Sequence, residues 1–442
     1  MKKPQVPPPL EEIWKETSSK SFSKIVQTVR DPLVNCSYLH WDELRHRTPP
    51  HGLSVREWWL GIKLNRQSQY RAVPLQDTGG RPFQYLLPDP IPARLHNIDR
   101  GAGGFIEMPE QITNPETKDR YYVGSLIEEA ITSSQLEGAA TTRKIAKEMI
   151  RTGRQPRDRS ERMILNNFIT MKRIGDLKGE PLTSELVFEI HRLVTDQALD
   201  DASAAGRFRT DEEKVVVTDL YGQVYHEPPP ASQLEARMAA MCSFANGTPA
   251  GTFVHPAIRA VVLHFWLAYD HPFVDGNGRT ARALFYWAML HHHYWLCEYI
   301  SISHIIRKGP MRYQRAFLHT ETDDNDLTYF ILYHIEVMRL AVSQLHEYIR
   351  AKTEQLRRLQ SELRGIVVLN HRQRDIISHA LRHPNQLYTI ESHRLSHNVV
   401  YETARRDLTD LAERGLLMPT KVGKAWRFSP APDLEQKLTN IS

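Results

Sequence analysis

Residues 271–282 read His-Pro-Phe-Val-Asp-Gly-Asn-Gly-Arg-Thr-Ala-Arg and join two apolar stretches with helical periodicity, 256–270 and 278–292. The glycines of the Gly-Asn-Gly turn at 276–278 allow the backbone to turn tightly and to approach a ligand closely. A helix that starts at this turn points its free backbone N–H groups and the positive end of its dipole at the loop. The stretch therefore predicts an anion-binding turn between two helices.

The side chains of the same stretch indicate which anion it binds. Arg279 and Arg282 are three residues apart and share a helix face, and guanidinium groups bind phosphate oxygens through two bonds at once. Asp275 is placed to hold a Mg²⁺ ion that bridges phosphates. His271 enters the turn with an ordinary pKa near neutrality, which suits a general base for a hydroxyl. Each feature alone is weak, but together they predict a nucleotide site with a base.

At every fixed position this segment resembles the signature of the Fic-domain family, His-Pro-Phe-x-(Asp/Glu)-Gly-Asn-Gly-Arg-x-x-Arg. The resemblance covers about 111–345 and is weaker on either side. Fic proteins are mostly adenylyltransferases, which move AMP from ATP to a Tyr, Thr or Ser hydroxyl of a protein. The resemblance implies ATP and Mg²⁺ as cofactors and target proteins with an accessible hydroxyl as partners, the protein itself included.

The resemblance also implies a role for each motif residue. His271 would be the base that takes the hydroxyl proton, and Asp275 would be the Mg²⁺ ligand. The anion hole for the α-phosphate would be formed by Gly276, Asn277 and Gly278. The β- and γ-phosphates would be held by Arg279 and Arg282.

Two further residues resemble family features outside the signature. Tyr313 resembles the tyrosine on the adenine side of the nucleotide, although Phe317 departs from the leucine that the family usually has there. Arg207, in Gly-Arg-Phe-Arg at 206–209, resembles an arginine that precedes the family's target-docking hairpin. A surface arginine is the alternative interpretation of Arg207.

Residues 133–138, Ser-Ser-Gln-Leu-Glu-Gly, end a predicted helix upstream of the signature. Ser133 and Glu137 are four residues apart and face one way, and Gly138 is able to end the helix. The segment resembles the Fic inhibitory motif, (Ser/Thr)-x-x-x-Glu-(Gly/Asn). The resemblance implies that Glu137 pairs with Arg282, takes the place of the γ-phosphate's partner and keeps activity low. In some family members the same glutamate orients a water that removes AMP.

The segment 214–226 breaks the helical pattern and predicts a β-hairpin with its turn at Asp219–Gly222. An isolated two-stranded ribbon exposes an edge that can accept an added strand. The resemblance makes this hairpin the flap that docks the target segment by main-chain bonds, with Val215, Val216 and Val217 on its first strand. Such docking recognises the backbone of the target more than its side chains, so the flap sequence does not identify the target.

The remaining sequence bounds the class of protein. Hydrophobic residues make up 41% and charged residues 25% of 442, an ordinary balance for roughly two to four domains. No apolar run is long enough to span a bilayer, the N-terminal residues do not resemble a signal peptide, and three scattered cysteines lack metal spacing. These features predict a cytoplasmic protein with no membrane partner.

The tail from about 366 predicts three helices, Asn370–Leu381, Ile390–Ser396 and Val399–Arg414, followed by a hairpin. This order is typical of a winged helix-turn-helix. The third helix mixes arginines with acidic residues, whereas a DNA-reading helix usually has a cleaner basic face. DNA binding and protein docking, including a homodimer, both stay open.

We therefore predict a mainly α protein. Its parts are an N-terminal helical region (1–110), a Fic domain (111–345) with the inhibitory helix at about 122–138, a connecting helix (346–365) and a winged helix (366–442). The predicted function is a protein adenylyltransferase that Glu137 inhibits. The alternatives are a winged-helix regulator with a nucleotide-sensing Fic core, an enzyme that removes AMP, or another nucleotidyltransferase on the same fold.

Overall fold

A computed structural model describes residues 2–100, 115–218, 222–247, 253–365, 369–422 and 425–439. The protein is mainly α-helical, as predicted. It divides into two compact units, the first formed by 1–104 with 125–342 and the second by 105–124 with 343–442. Within the described residues, no helix combines the length and the apolar character needed to cross a membrane.

The N-terminal part of the first unit contains short helices and an antiparallel hairpin. Its helices are α1 (Leu10–Glu16), α2 (Ser19–Thr28), α3 (Trp41–Leu44), α4 (Val55–Gln67) and α5 (Pro90–Ile98), and its strands are β1 (Arg71–Gln76) and β2 (Pro82–Tyr85). The hairpin was not predicted, because a proline in each strand argues against a regular ladder. Alternate residues of the hairpin, among them Leu75, Phe83 and Tyr85, are nevertheless buried.

This N-terminal part packs on the following helices of the same unit. Lys63 on α4 lies 2.7 Å from Asp323, and both side chains are 1% exposed. Arg66, also buried, donates to the Tyr329 hydroxyl at 2.8 Å. The predicted loop at 101–104 lies outside the described residues.

The rest of the first unit is a set of helices with one short hairpin, β3 (Val217–Thr218) and β4 (Val224–His226). The helices are α6 (Pro115–Leu136, with 125–136 in this unit), α7 (Arg143–Thr152), α8 (Arg159–Leu177), α9 (Ser184–Thr195), α10 (Leu234–Ala245), α11 (Pro256–Asp270), α12 (Asn277–His291), α13 (Ile302–Lys308), α14 (Pro310–Thr322) and α15 (Thr328–Gly365, with 328–342 in this unit). The two apolar helices predicted at 256–270 and 278–292 are present as α11 and α12, within one residue of their expected bounds.

Helices α11 and α12 form the centre of this unit. Nearly every residue of both helices is buried, which is why they are apolar on all faces rather than along one stripe. Pro256 occupies the first turn of α11, where its missing N–H costs nothing. The loop between the two helices is therefore fixed at both ends by the core.

Two bounds differ from the sequence prediction. The predicted connecting helix at 346–365 is the second half of α15, which runs without a break from Thr328. The flap strands are shorter than predicted, since Val215 and Val216 precede β3 rather than lying in it. The predicted turn residues 219–221 lie outside the described residues.

The second unit contains the tail elements. They are α16 (His371–Arg382), β5 (Tyr388–Thr389), α17 (Ile390–His397), α18 (Tyr401–Glu413), β6 (Leu417–Val422), β7 (Ala425–Pro430) and α19 (Leu434–Thr439). The strands form an antiparallel sheet in the order β5–β7–β6. The predicted three helices and hairpin are present, and Gly415 ends α18 with a φ of 70°. Strand β5 was not predicted, because two residues are too few for a recognisable alternation.

Candidate active site

The loop from His271 to Gly276 is held in place by side chains of its own motif. Asn277 accepts a bond from the Phe273 amide at 3.0 Å and donates one to the Phe273 carbonyl at 2.8 Å. Gly276 adopts a φ of +85°, and a Cβ at this position would lie 2.7 Å from Thr195 Cγ2. Only glycine fits this turn, which sets the first residues of α12 against the loop.

His271 ends α11 in a left-handed conformation, with φ 46° and ψ 54°. Its ring Nδ1 lies 3.2 Å from the Ala268 carbonyl, which can only accept, so Nδ1 carries a proton and Nε2 is the basic nitrogen. Burial lowers the pKa of His271 to about 4, and the Ala268 bond opposes that shift. The ring is therefore neutral near pH 7 and able to accept a proton at Nε2.

Arg279 and Arg282 are 0% and 2% exposed, so neither is a solvated surface arginine. Arg279 donates to the Val194 carbonyl at 3.0 Å, while its Nε has no partner within the described part of the chain. Arg282 donates through Nε to Ser133 Oγ at 2.8 Å and through Nη2 to the Ser133 carbonyl at 3.0 Å. Two buried guanidinium groups on the first turns of α12 make this helix start strongly attractive to anions.

The carboxylate of Glu137 lies at this helix start. Its Oε1 is 2.7 Å from Arg282 Nη2, and a Cβ built on Gly278 would collide with the same carboxylate oxygen. Glu137 is thus in contact with both a predicted phosphate-binding arginine and the predicted anion hole. Gly138 follows with a φ of +92° and ends the segment.

The helix that carries Glu137 is anchored in the core two turns earlier by Glu129. This carboxylate, 1% exposed, accepts bonds from the Tyr286 hydroxyl at 2.9 Å, the Ser301 hydroxyl at 2.8 Å and the Ser303 amide at 3.1 Å. The Ser303 hydroxyl donates a further bond to it. A buried carboxylate with four donors is a firm attachment, and no pattern in the sequence distinguishes it from a surface glutamate.

Asp275 is 38% exposed and lies beside the start of α12. Its Oδ2 is 3.2 Å from Arg159 Nη2, and its Oδ1 accepts from the Gly276 amide at 2.5 Å. In the described ranges no three His, Cys, Asp or Glu side chains converge as metal ligands. One exposed carboxylate fits Mg²⁺ as nucleotide sites usually hold it, with phosphates and waters completing the shell.

Tyr313 on α14 lies near Arg282, so the predicted adenine-side residue is next to a predicted phosphate-binding arginine. Its hydroxyl is 2.7 Å from His264 Nε2. Burial raises the pKa of Tyr313 to about 12, and the charge and hydrogen bond of Arg282 oppose that rise. Its ring packs on Phe317 at 5.1 Å, so the residue that departs from the family pattern is its direct neighbour.

Three polar residues support the loop although the sequence did not indicate this role for them. His191 bridges two segments: its Nε2 donates to the Asp275 carbonyl at 2.9 Å and its Nδ1 accepts from the Gly206 amide at 2.9 Å. Burial lowers the pKa of His191 to about 4, so it is neutral. Arg209 donates to the His271 and Pro272 carbonyls, and His226 bonds to the Tyr269 carbonyl. Arg207, which the sequence singled out, instead forms a bidentate ion pair with Glu213.

The chain is similar to known proteins in the region of this loop. Residues 181–289 match the model of the Fic/DOC family. The chain therefore contains a Fic domain, which includes the whole loop and the start of α12.

Two relatives named "Protein adenylyltransferase Fic" are similar over part of the chain. The one from Nematostella vectensis is 38% identical over 107 residues, covering 24% of this chain and 22% of the relative. The one from Aedes aegypti is 36% identical over 110 residues, covering 24% and 19%. The chain thus matches about a fifth of the length of these curated relatives.

A solved Fic family protein from Desulfovibrio desulfuricans G20 shares the fold with a TM-score of 0.51 and 19% identity. The alignment covers 77% of this chain and 94% of that chain.

Proposed function

We propose that this protein is an adenylyltransferase that moves AMP from ATP to a hydroxyl of a target protein and of itself. The observation that carries the proposal is the state of His271. It is a neutral ring with its basic Nε2 free, one loop away from a helix start that two buried arginines make anion-binding. The match of residues 181–289 to the Fic/DOC family, together with the similarity of part of the chain to relatives named Protein adenylyltransferase Fic, supports the same chemistry.

In the proposed reaction the target hydroxyl attacks the α-phosphorus of ATP. The new bond joins the hydroxyl oxygen to phosphorus, the bond to the bridging oxygen breaks, and pyrophosphate leaves. His271 Nε2 takes the hydroxyl proton. Gly276 to Gly278 would bind the α-phosphate, Arg279 and Arg282 would bind the outer phosphates, and Tyr313 would contact the adenine side. This chemistry depends mainly on positioning and charge neutralisation.

A bound Mg²⁺ would neutralise phosphate charge and would be held by Asp275 together with the nucleotide. Asp275 is reachable from solvent and is fixed by the Gly276 amide, which suits this task. The ion pair with Arg159 has to open or shift when the metal binds at the same oxygen.

The proposal includes inhibition by Glu137. The Glu137 carboxylate already holds the Arg282 guanidinium that the outer phosphates need. Its negative charge also lies at the helix start, where it repels a phosphate. ATP would therefore bind weakly or in an unproductive position until this contact is broken.

The deciding experiment is mass spectrometry of the Glu137→Gly protein after incubation with ATP, GTP, CTP and UTP. We expect the mass of one AMP group on a Tyr, Thr or Ser residue with ATP, and no modification in Glu137→Gly combined with His271→Ala. Modification with another nucleotide would assign a different nucleotidyltransferase. No modification with any nucleotide, but tight nucleotide binding, would favour a sensor. If the wild-type protein released AMP from a modified target, this would favour an enzyme that removes AMP.

For the tail we propose a protein-docking or dimer module rather than a DNA reader. On α18, Arg405 pairs with Glu402 at 3.5 Å and Arg414 pairs with Asp410 at 3.0 Å, so these basic groups are partly neutralised within the helix. A gel shift with duplex DNA at rising salt tests this, because phosphate binding by basic residues weakens steeply with salt. Salt-dependent DNA binding would overturn the proposal.

A further inference from the structure

The backbone of His271 needs support from its surroundings. A residue with a Cβ rarely adopts a φ of 46°, and such a conformation persists only where neighbouring groups hold it. The predicted roles of the motif residues account for binding phosphate, but none of them explains how His271 is held. Its support comes from bonds that neighbouring residues make to the carbonyls of Tyr269, His271 and Pro272.

Arg209 supplies three bonds from the segment that precedes the flap. Its amide donates to the Pro272 carbonyl at 2.9 Å, and its Nε donates to the His271 carbonyl at 2.9 Å. Its Nη2 donates to the Pro229 carbonyl, which follows β4. Arg209 is only 6% exposed. One buried side chain thus joins the segments before and after the hairpin to the carbonyl of the proposed base.

His226, on β4 of the flap, bonds to the backbone two residues before His271. Its Nε2 lies 2.6 Å from the Tyr269 carbonyl and its Nδ1 lies 2.7 Å from Glu321 Oε2. Both partners accept, so a ring that bonds to both carries a proton on each nitrogen. Burial acts to lower the pKa of His226, but Glu321 and the Tyr269 carbonyl outweigh burial and raise it.

We propose that Arg209 and His226 are positioning residues for His271, which attach the flap to the His271 loop. The inference rests on the proposed function, since it gives these bonds a role in transfer. A target segment docked on β3 would then be fixed relative to His271 Nε2. The flap residues Val215, Val216 and Val217 would place the target, and Arg209 and His226 would keep the base at the right distance from it.

The test uses the full chain with Glu137→Gly and adds Arg209→Met, Arg209→Lys or His226→Gln. We expect Arg209→Met to lower kcat for transfer by about 100-fold, the size of effect that a displacement of about 1 Å produces. The dissociation constant for ATP, measured by calorimetry, should stay within about twofold, because neither residue contacts Arg279 or Arg282. Arg209→Lys and His226→Gln keep one donor each and should lose less. Arg173→Met, which removes a surface ion pair with Glu189, is the matched control.

A second readout does not depend on transfer. In protein labelled with ¹⁵N-histidine, the ring signals of His271 report its tautomer and its surroundings. We expect them to shift or broaden in Arg209→Met and in His226→Gln, and to stay unchanged in Arg173→Met. This result would stand even if Glu137→Gly transferred no AMP, so the two proposals fail separately. Unchanged His271 signals in folded Arg209→Met and His226→Gln, or an equal loss of ATP affinity and kcat, would overturn the inference.

Discussion

The Nη2 atom of Arg282 lies 2.7 Å from Oε1 of Glu137, across 145 positions of the chain. This ion pair occupies the start of α12, where backbone N–H groups and a second buried arginine would otherwise receive phosphate oxygens. In the proposed function, ATP and Glu137 would therefore compete for the Arg282 guanidinium.

Replacing Glu137 should free that cation, fully when the side chain is removed and only in part when an uncharged acceptor remains beside Arg282. We expect Glu137→Gly to raise ATP affinity by at least about tenfold, equivalent to about 1.4 kcal/mol, and Glu137→Gln to give a smaller increase. Calorimetric titration with a non-hydrolysable ATP analogue measures both. Glu148→Gln, an exposed glutamate on α7, should leave affinity unchanged. Equal affinity for the ATP analogue in the wild type and in all three variants would show that Glu137 does not compete with phosphate.

The rate of transfer should be insensitive to pH in the range where an ordinary histidine titrates. Burial lowers the pKa of His271 to about 4, so Nε2 stays unprotonated well below pH 6.5. Single-turnover rates of the Glu137→Gly protein from pH 5 to pH 8, roughly the range of histidine titration, check this. A fall in rate centred near pH 6.5 would show instead that the ring titrates as if in water.

Stability should fall as the solution becomes acidic, before carboxylates are protonated. Burial lowers the folded-state pKa of His40 and of His191 to about 4, whereas their unfolded-state pKa is near 6.5. The unfolded chain therefore binds more protons between these values, and stability present above pH 6.5 is lost as pH falls towards 4. Denaturant unfolding of wild type and His191→Gln should show a shallower pH slope for the variant. An equal pH slope of stability in wild type and His191→Gln would show that His191 does not contribute to the pH dependence.

Gly276→Ala should destabilise the fold. The φ of +85° is costly for any residue with a Cβ, and the added atom would lie 2.7 Å from Thr195. We expect a loss of about 1–3 kcal/mol from the backbone alone, read as a lower Tm. Gly179→Ala is the control, because its φ is not positive and nothing lies within 4 Å of the added Cβ. A Tm equal for both variants would show that the loop relaxes freely.

Lys63→Met should destabilise the first unit by about 3–5 kcal/mol, because it removes one partner from a buried charge network. Lys63 and Asp323 are each 1% exposed. Arg339→Met removes an exposed pair with Glu336 and should cost about 0–1 kcal/mol. Denaturant unfolding compares the two, and similar losses would show that Arg66 alone satisfies Asp323.

The central helices and the site loop could be predicted from sequence because their signals are local. Periodicity located α11 to the residue, and the Gly-Asn-Gly turn located the start of α12 to within one residue. The pairing of Glu137 with Arg282 was also predicted and is present, but this came from the family resemblance. Nothing local in either segment indicates that residues 145 positions apart meet.

What could not be predicted depends on tertiary contacts. His191, Arg209 and His226 have no motif of their own, and each supports the loop through backbone carbonyls or amides that any sequence carries. The hairpin β1–β2 forms despite Pro74 and Pro82, because its buried side chains outweigh two missing ladder donors.

The four donors around Glu129 have a geometric consequence for the segment that ends at Glu137. They fix the rotational phase of α6 eight residues before Glu137, and each residue of an α-helix advances that phase by about 100°. One alanine inserted between these two glutamates would turn the Glu137 carboxylate away from Arg282 without deleting any group. The number of residues between Glu129 and Glu137, rather than their identity, therefore decides whether the Glu137 carboxylate reaches Arg282.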